Sequence, residues 1–243
     1  MLRVRPLHFT SRIDVWELLL AELGMVRSEN EPGWQVFDAG SGRLALHAVP
    51  DGAAEDGTTA FAVEVGDLAE FTRRTNLSAQ DDGTTPAEII TADHGETCRI
   101  TAPDGFTFLA DKAAPTGGAE ADQALSVVGV WFTEDTASAA RTLSHVGARP
   151  RPVPDADETA DFTAKNGGVI LVRPAAGPPR SGIGFEYDGG LEPLRARLAS
   201  AGFEATVTEE AFGSTLHVAN PDAGSGAAHV PTTVWISEHR PMG

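Results

Sequence analysis

The chain carries one pattern twice, at a constant offset of 123 residues. Residues 7–10 (Leu-His-Phe-Thr) align with residues 130–133 (Val-Trp-Phe-Thr), and each segment runs into a helix-like stretch that ends at a glycine. The same offset relates residues 67–68 (Asp-Leu) to residues 190–191 (Gly-Leu). Few residues are identical, so pattern and spacing support the comparison. Two independent segments that share one offset predict a duplicated domain.

Each half of the chain is predicted to contain the same order of elements twice. Apolar residues that alternate with polar ones predict strands, and apolar residues spaced three or four apart predict helices. The resulting order is strand, helix, strand, strand, strand, so the whole chain contains four such units. In the first predicted helix, residues 15–23, we expect one apolar face to pack inward, formed by Val15, Leu18, Leu19 and Leu23.

The boundary between the two halves is marked by composition. Residues 113–123 are small, polar and contain Pro and Gly, as is typical of a linker. The sequence therefore predicts a first domain at 1–112 and a second at 124–243, each of ordinary domain size. With both domains on one chain, we expect a monomer or a homodimer.

Charge and composition exclude several classes of function. The chain has 35 acidic against 18 basic side chains and a net charge of −17. Such a surface repels phosphate, so we expect no nucleic-acid partner and no membrane partner. No apolar run approaches the roughly 20 residues that span a bilayer. Cys98 is the only cysteine, which excludes an internal disulfide. A cytoplasmic location is the simplest expectation.

A Pro-Asp turn precedes the last predicted strand of each half, at residues 103–105 (Pro-Asp-Gly) and 221–224 (Pro-Asp-Ala-Gly). Four units with this turn in each half resemble the vicinal oxygen chelate superfamily, which includes glyoxalase I, bleomycin- and fosfomycin-resistance proteins and extradiol dioxygenases. The resemblance covers nearly the whole chain. It implies an α+β fold with two glyoxalase-like domains. Each domain would contain two βαβββ modules that form a curved half-barrel sheet, with helices outside and the ligand in the cleft.

The resemblance also implies where a divalent metal would bind. Enzymes of the superfamily use a His or Gln on the first strand, a His or Glu on the first strand of the second module, and a Glu on the last strand. The matching positions in the first half are Arg5, Ala60 and Leu109. In the second half, Val128 and Ile183 match, and the last strand carries no acid before Glu238. None of the inherited positions carries a donor before that distant acid, so we expect no metal and no other cofactor.

Four residues are candidates for contact with a small-molecule ligand: Arg5, His47, Trp131 and Phe132. The planar guanidinium of Arg5 suits an anionic group, and His47 ends a predicted strand at the rim of the cleft. Trp131 and Phe132 could stack on an apolar ligand, although neighbouring residues of a strand face opposite sides. Further aromatic residues near the proposed clefts are Trp34, Phe106 and Trp235.

The empty donor positions favour a binding protein over an enzyme. The leading hypothesis is a small-molecule-binding protein that lacks the usual metal ligands, with sequestration or drug binding as its role. Such a role needs no catalytic group, and the sequence identifies none. The alternative is a metal-dependent lyase, isomerase or dioxygenase with displaced ligands. A register slip of one or two residues would bring in His8, but no partner for it. Duplicated clefts often diverge, so one domain could be purely structural.

Overall fold

The structure is a computed structural model that describes residues 1–82, 87–114, 118–152, 158–210 and 213–239. Four βαβββ modules follow one another along the chain, each with one α-helix, as the sequence predicts. The α+β class is therefore confirmed. Across the described ranges, none of the helices combines the length and the apolar composition that crossing a bilayer requires.

The first two modules form two sheets of five strands. The elements of the first module are β1 (Leu2–Val4), β2 (Leu7–Thr10), α1 (Ile13–Glu22), β3 (Val26–Glu31), β4 (Trp34–Asp38) and β5 (Arg43–Ala48). Those of the second are β6 (Thr59–Ala60), β7 (Ala62–Val65), α2 (Leu68–Ser78), β8 (Ala87–Ala92), β9 (Gly95–Thr101) and β10 (Thr107–Lys112). The strand orders are β3-β4-β5-β2-β6 and β1-β7-β10-β9-β8.

The last two modules repeat this plan. The third module contains β11 (Leu125–Thr133), α3 (Thr136–His145), β12 (Arg149–Arg151), β13 (Ala160–Thr163) and β14 (Val169–Pro174). The fourth contains β15 (Arg180–Tyr187), α4 (Leu191–Ser200), β16 (Ala205–Glu210), β17 (Gly213–Ala219) and β18 (Thr233–Glu238). Their strand orders, β12-β13-β14-β11 and β15-β18-β17-β16, match each other element for element.

Contacts between Cα atoms divide the chain into two compact units. Unit 1 combines Met1–Pro6, Ala60–Pro115 and Val128–Gly182, and therefore the second and third modules. Unit 2 combines Leu7–Thr59, Thr116–Val127 and Ile183–Gly243, and therefore the first and fourth modules. Each unit takes one module from each half of the sequence. This division differs from the domains at 1–112 and 124–243, which stay a prediction from the repeat.

Each unit has its own apolar core between two helices and one face of its strands. In unit 1, Val63 and Val65 of β7 face this core together with Leu143 of α3. In unit 2, Leu44 of β5 packs in the same core as Leu194 of α4. Because strand side chains alternate, the residues between these apolar ones face away from the helices. We call the two sides of the strands the core face and the open face.

The buried face of α1 differs from the sequence prediction. Trp16, Leu19 and Leu20 are fully buried, whereas Val15 is 41 % and Leu18 48 % exposed. Of the predicted residues, Leu19 and Leu23 are buried as expected, whereas Val15 and Leu18 were wrong and Trp16 and Leu20 are buried in their place. The correct stripe, at 16, 19, 20 and 23, keeps the helical spacing of three and four residues. In addition, the Trp16 indole donates a hydrogen bond to Asp222, which the apolar pattern does not show.

The repeat is visible at atomic level as a threonine–aspartate pair in each unit. In unit 2, Thr10 at the end of β2 donates to Asp222 Oδ1 at 2.6 Å. In unit 1, Thr133 at the end of β11 donates to Asp104 Oδ2 at 2.8 Å. Both aspartates lie in the Pro-Asp turns, and Thr10 and Thr133 are 123 residues apart. Within each unit, the pair ties the first strand of one module to the last turn of the other.

The Asp222 carboxylate is buried and has three side-chain partners. Besides Thr10, it accepts a hydrogen bond from Trp16 Nε1 at 2.6 Å, and His8 Nε2 lies 2.7 Å from Oδ2. His8 thus faces α1, as its strand position predicts. Burial raises the pKa of Asp222, but the hydrogen bonds from His8, Thr10 and Trp16 outweigh it and hold that pKa below its ordinary value of 3.8.

Asp222→Asn is expected to lower the free energy of unfolding by about 2–4 kcal/mol, because three bonds to a buried carboxylate are lost or weakened. Since the folded pKa is depressed, this stabilisation is complete above the ordinary pKa and is lost as pH falls through the folded pKa. Urea unfolding between neutral and acidic pH measures both effects. The wild type should lose stability below about pH 4 more steeply than Asp222→Asn does.

Asp104→Asn is the matched control in unit 1, where the carboxylate accepts from the Thr133 hydroxyl and the Phe106 backbone N–H. With fewer donors and more exposure, this change should cost about 1 kcal/mol. Equal losses in the two variants, with parallel pH profiles, would contradict the role given to Asp222.

Candidate functional site

Two arginines and two acids meet on the open face of unit 1. Arg3 on β1 lies opposite Glu64 on β7, and Asp111 on β10 lies opposite Glu64 on its other side. Arg5, which directly follows β1, reaches the same two carboxylates. Glu64 stands between core-face valines, so strand alternation turns its side chain to the open face. We call Arg3, Arg5, Glu64 and Asp111 the arginine–carboxylate cluster.

Every carboxylate of the arginine–carboxylate cluster has a guanidinium partner. Arg3 Nε donates to Glu64 Oε2 at 2.5 Å, and Arg5 Nε lies 3.3 Å from Glu64 Oε1. Arg5 also donates to Asp111 Oδ2, and His94 Nε2 lies 3.0 Å from Asp111 Oδ1. Arg3, Arg5 and Glu64 are 2 %, 6 % and 3 % exposed. Ion pairs so shielded from water hold each other firmly, because removing one partner leaves a buried charge.

The cluster does not fit a divalent metal. The positions implied by the resemblance are Ala60 and Leu109, whereas the acids lie at Glu64 on β7, which follows the short strand that ends at Ala60, and at Asp111, two residues beyond Leu109 on β10. Strand alternation could have found both, because each shares the odd or even numbering of the position that was tested. The carboxylate oxygens of Glu64 and Asp111 already accept hydrogen bonds from guanidinium groups. A guanidinium group has no lone pair with which to bind a metal. Within the described ranges, no three His, Cys, Asp or Glu side chains are grouped to hold a metal.

A second buried arginine lies on the open face of unit 2. Arg43 on β5 is 1 % exposed and donates from Nε to Asp38 Oδ1 on β4. Its Nη2 donates to Ser28 Oγ at 2.9 Å, and Nη1 lies 3.7 Å from Glu29 Oε1. Asp38, like Glu64, is an acid on the open face whose charge is met by a neighbouring guanidinium. The two units thus use the same arrangement on different strands.

His47 lies in a row of rings on the open face of the first module. Residues opposite each other across the strands are Phe9 on β2 and His47 on β5, and then His47 and Trp34 on β4. Ring centroids are 5.6 Å apart for Phe9 and His47 and 6.1 Å for His47 and Trp34. His47 is exposed, and Phe9 and Trp34 are half-buried. We call Phe9, His47 and Trp34 the aromatic row.

The other two candidate contacts, Trp131 and Phe132, face opposite sides of β11. Trp131 is fully buried in the core of unit 1 and stacks on Phe106, with ring centroids 4.5 Å apart. Its Nε1 has no hydrogen-bond partner among the described residues. Phe132 is half-buried, with Arg180 Cζ 5.0 Å from its ring centroid. Ligand contact by either residue stays a prediction, and the burial of Trp131 disfavours it for that ring.

Trp235 on β18 lies flat against the backbone of Gly184 on β15. A Cβ atom added to Gly184 would come within 2.2 Å of the indole ring. Only glycine therefore leaves room for this ring on the open face of unit 2. Trp235 is half-buried and stands opposite His217 of β17 in the strand register. The close approach fixes the ring plane, which preorganises an aromatic surface.

Comparison with solved structures identifies proteins of similar fold. The chain is similar to homoprotocatechuate 2,3-dioxygenase from Arthrobacter globiformis, with a TM-score of 0.63 and 14 % identity over 98 % of this chain and 78 % of that one. It is also similar to the 2,3-dioxygenase LapB from Pseudomonas sp. KL28, with a TM-score of 0.62 and 13 % identity over 98 % of this chain and 91 % of that one. A third similar structure is the Mn(II)-bound glyoxalase from Novosphingobium aromaticivorans, with a TM-score of 0.61 and 13 % identity over 97 % of this chain and 80 % of that one. Neither a protein-family model nor a curated protein sequence matches.

These matches show that the chain has the tandem vicinal oxygen chelate fold across nearly its whole length. The fold class and the resemblance predicted from the sequence are thereby confirmed. At identities of 13–14 % the likeness concerns the fold alone, because one fold carries many functions and function depends on the site.

Gly184→Ala is expected to lower the free energy of unfolding by about 1–3 kcal/mol, because the added methyl group overlaps the Trp235 ring. It should also change the intrinsic fluorescence as the indole is displaced. Denaturant unfolding with fluorescence detection measures both. The matched control is Gly190→Ala, whose added methyl group would lie 3.6 Å from its nearest neighbour, Pro193. Similar losses in the two variants would contradict the packing described for Trp235.

Proposed function

We propose that this protein binds a small organic molecule without a metal ion, as a binding or sequestering protein on a vicinal oxygen chelate scaffold. The observation that carries the proposal is the position of Arg5 between Glu64 and Asp111. Two carboxylates that share a sheet face are the natural start of a chelating site. Here a permanent cation from the chain itself occupies them.

A metal ion at Glu64 and Asp111 would have to displace the guanidinium of Arg5. A divalent ion could use Glu64 and Asp111 only if Arg5 left both carboxylates. Removing one partner from a buried ion pair costs about 3–5 kcal/mol, since the remaining charge stays out of water. Arg3 would still neutralise Glu64 after Arg5 had moved. The metal would therefore meet Glu64, which Arg3 neutralises, and Asp111, which also faces His94.

The binding role is supported by rings that stay half-exposed on the open faces. Three such surfaces combine aromatic rings with nearby polar groups. They are the aromatic row of the first module, Phe132 of the third module beside Arg180, and Trp235 of the fourth module over Gly184. Small-molecule sites are built in this way, from aromatic walls and a few polar groups. Sequestration requires no nucleophile, which suits Cys98, a buried thiol whose pKa is raised by burial.

The second candidate function is a metal-dependent lyase, isomerase or dioxygenase with displaced ligands. One observation favours it: His94 Nε2 lies 3.0 Å from Asp111 Oδ1, so an imidazole stands beside one of the two acids. The names of the similar structures, a Mn(II)-bound glyoxalase and dioxygenases, point the same way. The two candidates differ in whether the wild-type chain takes up a metal.

Metal binding by tag-free protein separates these candidates. After treatment with EDTA, the wild type should show no uptake of Mn(II) or Zn(II) by isothermal titration. Arg5→His removes a positive charge and adds an imidazole beside the two acids. A unit charge about 4 Å away is worth about 4 kcal/mol at intermediate dielectric, so this variant should gain at least about tenfold in metal affinity.

Arg27→His is the control, because Arg27 lies on a strand of another sheet and pairs with Glu17 of α1. It should take up no more metal than the wild type. One tightly bound metal ion per wild-type chain, lost in Glu64→Gln, would overturn the proposal in favour of the enzymatic candidate.

A further inference from the structure

We infer that the aromatic row, Phe9, His47 and Trp34, binds a flat organic cation. The inference rests on the proposed function and names the ligand class and the place. The three rings occupy adjacent strands in direct register, so the sheet holds them as one continuous surface. They lie on the open face, because His8 and Leu46, the chain neighbours of Phe9 and His47, are buried on the core face.

The shape of the row suits a flat, extended molecule. The ring centroids are 5.6 Å and 6.1 Å apart and the neighbouring rings are inclined at 59° and 64°, so a flat molecule that stacks on one ring meets the edge of the next. Trp34 Nε1 donates to Glu29 Oε2 at 3.2 Å, which fixes the orientation of the indole. A platform that is ordered before binding loses little conformational entropy when the ligand arrives. The exposed edge of the row, at His47, leaves access from solvent.

The charge around the row selects a cation. Asp38 and Glu29 together face the single guanidinium of Arg43, so these three side chains keep one net negative charge. Glu31, exposed and opposite Trp34 in the strand register, adds another. Arg43 is 1 % exposed, so its charge is turned inward and cannot attract an anion from solvent. The net charge of −17 attracts cations over a longer range.

The ring faces add a second preference in the same direction. The face of an indole or phenyl ring carries partial negative charge and attracts a cation placed over it. A neutral molecule of the same shape would stack on the row but gain nothing from this field. An anion would meet the carboxylates of Glu29 and Glu31. The expected order of affinity is therefore cation, neutral molecule and anion.

Isothermal titration with three probes of one shape tests this order. The probes are 1-methylquinolinium, quinoline and 2-naphthoate, in buffer with EDTA at about pH 8. Trp34→Ala should weaken 1-methylquinolinium binding by about 2- to 30-fold, the range of a cation–π contact. Glu31→Gln is an exposed change that leaves the fold intact. It should weaken the binding of 1-methylquinolinium and leave the binding of quinoline unaffected.

Two variants serve as matched controls. Phe203→Ala removes a half-buried ring between α4 and β16, and Glu204→Gln removes the exposed acid next to it in unit 2. Both should bind 1-methylquinolinium as the wild type does. The inference is overturned if 2-naphthoate binds as tightly as the cation, or if neither Trp34→Ala nor Glu31→Gln weakens the cation. If the probes bind in buffer without EDTA and fail to bind in buffer with it, the metal-free function is overturned, and this inference with it.

Discussion

Neutralisation of buried carboxylates is the constraint on which the open faces of these sheets depend. An acid that loses contact with water needs a positive partner, because an unpaired buried charge is strongly destabilising. A metal ion can supply that charge, and here arginine supplies it, as Arg3 and Arg5 do for Glu64 and Asp111. The planar guanidinium also holds each acid from a fixed direction. The acids that could begin a chelating site are therefore part of the folded scaffold.

The proposed binding role rests on the rings and on the residual charge around them. On β5, Arg43, Ala45 and His47 alternate on the open face, so a rigid ion pair lies along the same strand as the aromatic row. The buried ion pair of Arg43 and Asp38 holds neighbouring side chains in place, and the half-exposed rings supply the surface that a ligand could cover. The proposed binding role needs no group that reacts, only groups that hold position.

The fold could be predicted because spacing survives when residue identity does not. Thr10 and its repeat partner keep the offset of the whole duplication, and the Pro-Asp turn of Asp222 lies where the order of units requires it. Side-chain partners were harder to predict. The hydrogen bond from Trp16 to Asp222 and the position of Arg5 between Glu64 and Asp111 appear only once the strands and helices are packed together. Such contacts join segments far apart in sequence, which periodicity does not reveal.

The account is tested most directly by diffraction from crystals of the wild-type protein soaked in Mn(II), with data collected to record anomalous scattering. It predicts Arg5 between Glu64 and Asp111, as in the present structure, with no anomalous peak within coordination distance of either carboxylate. A strong peak bound by Glu64 and Asp111, with Arg5 turned away from both, would contradict it.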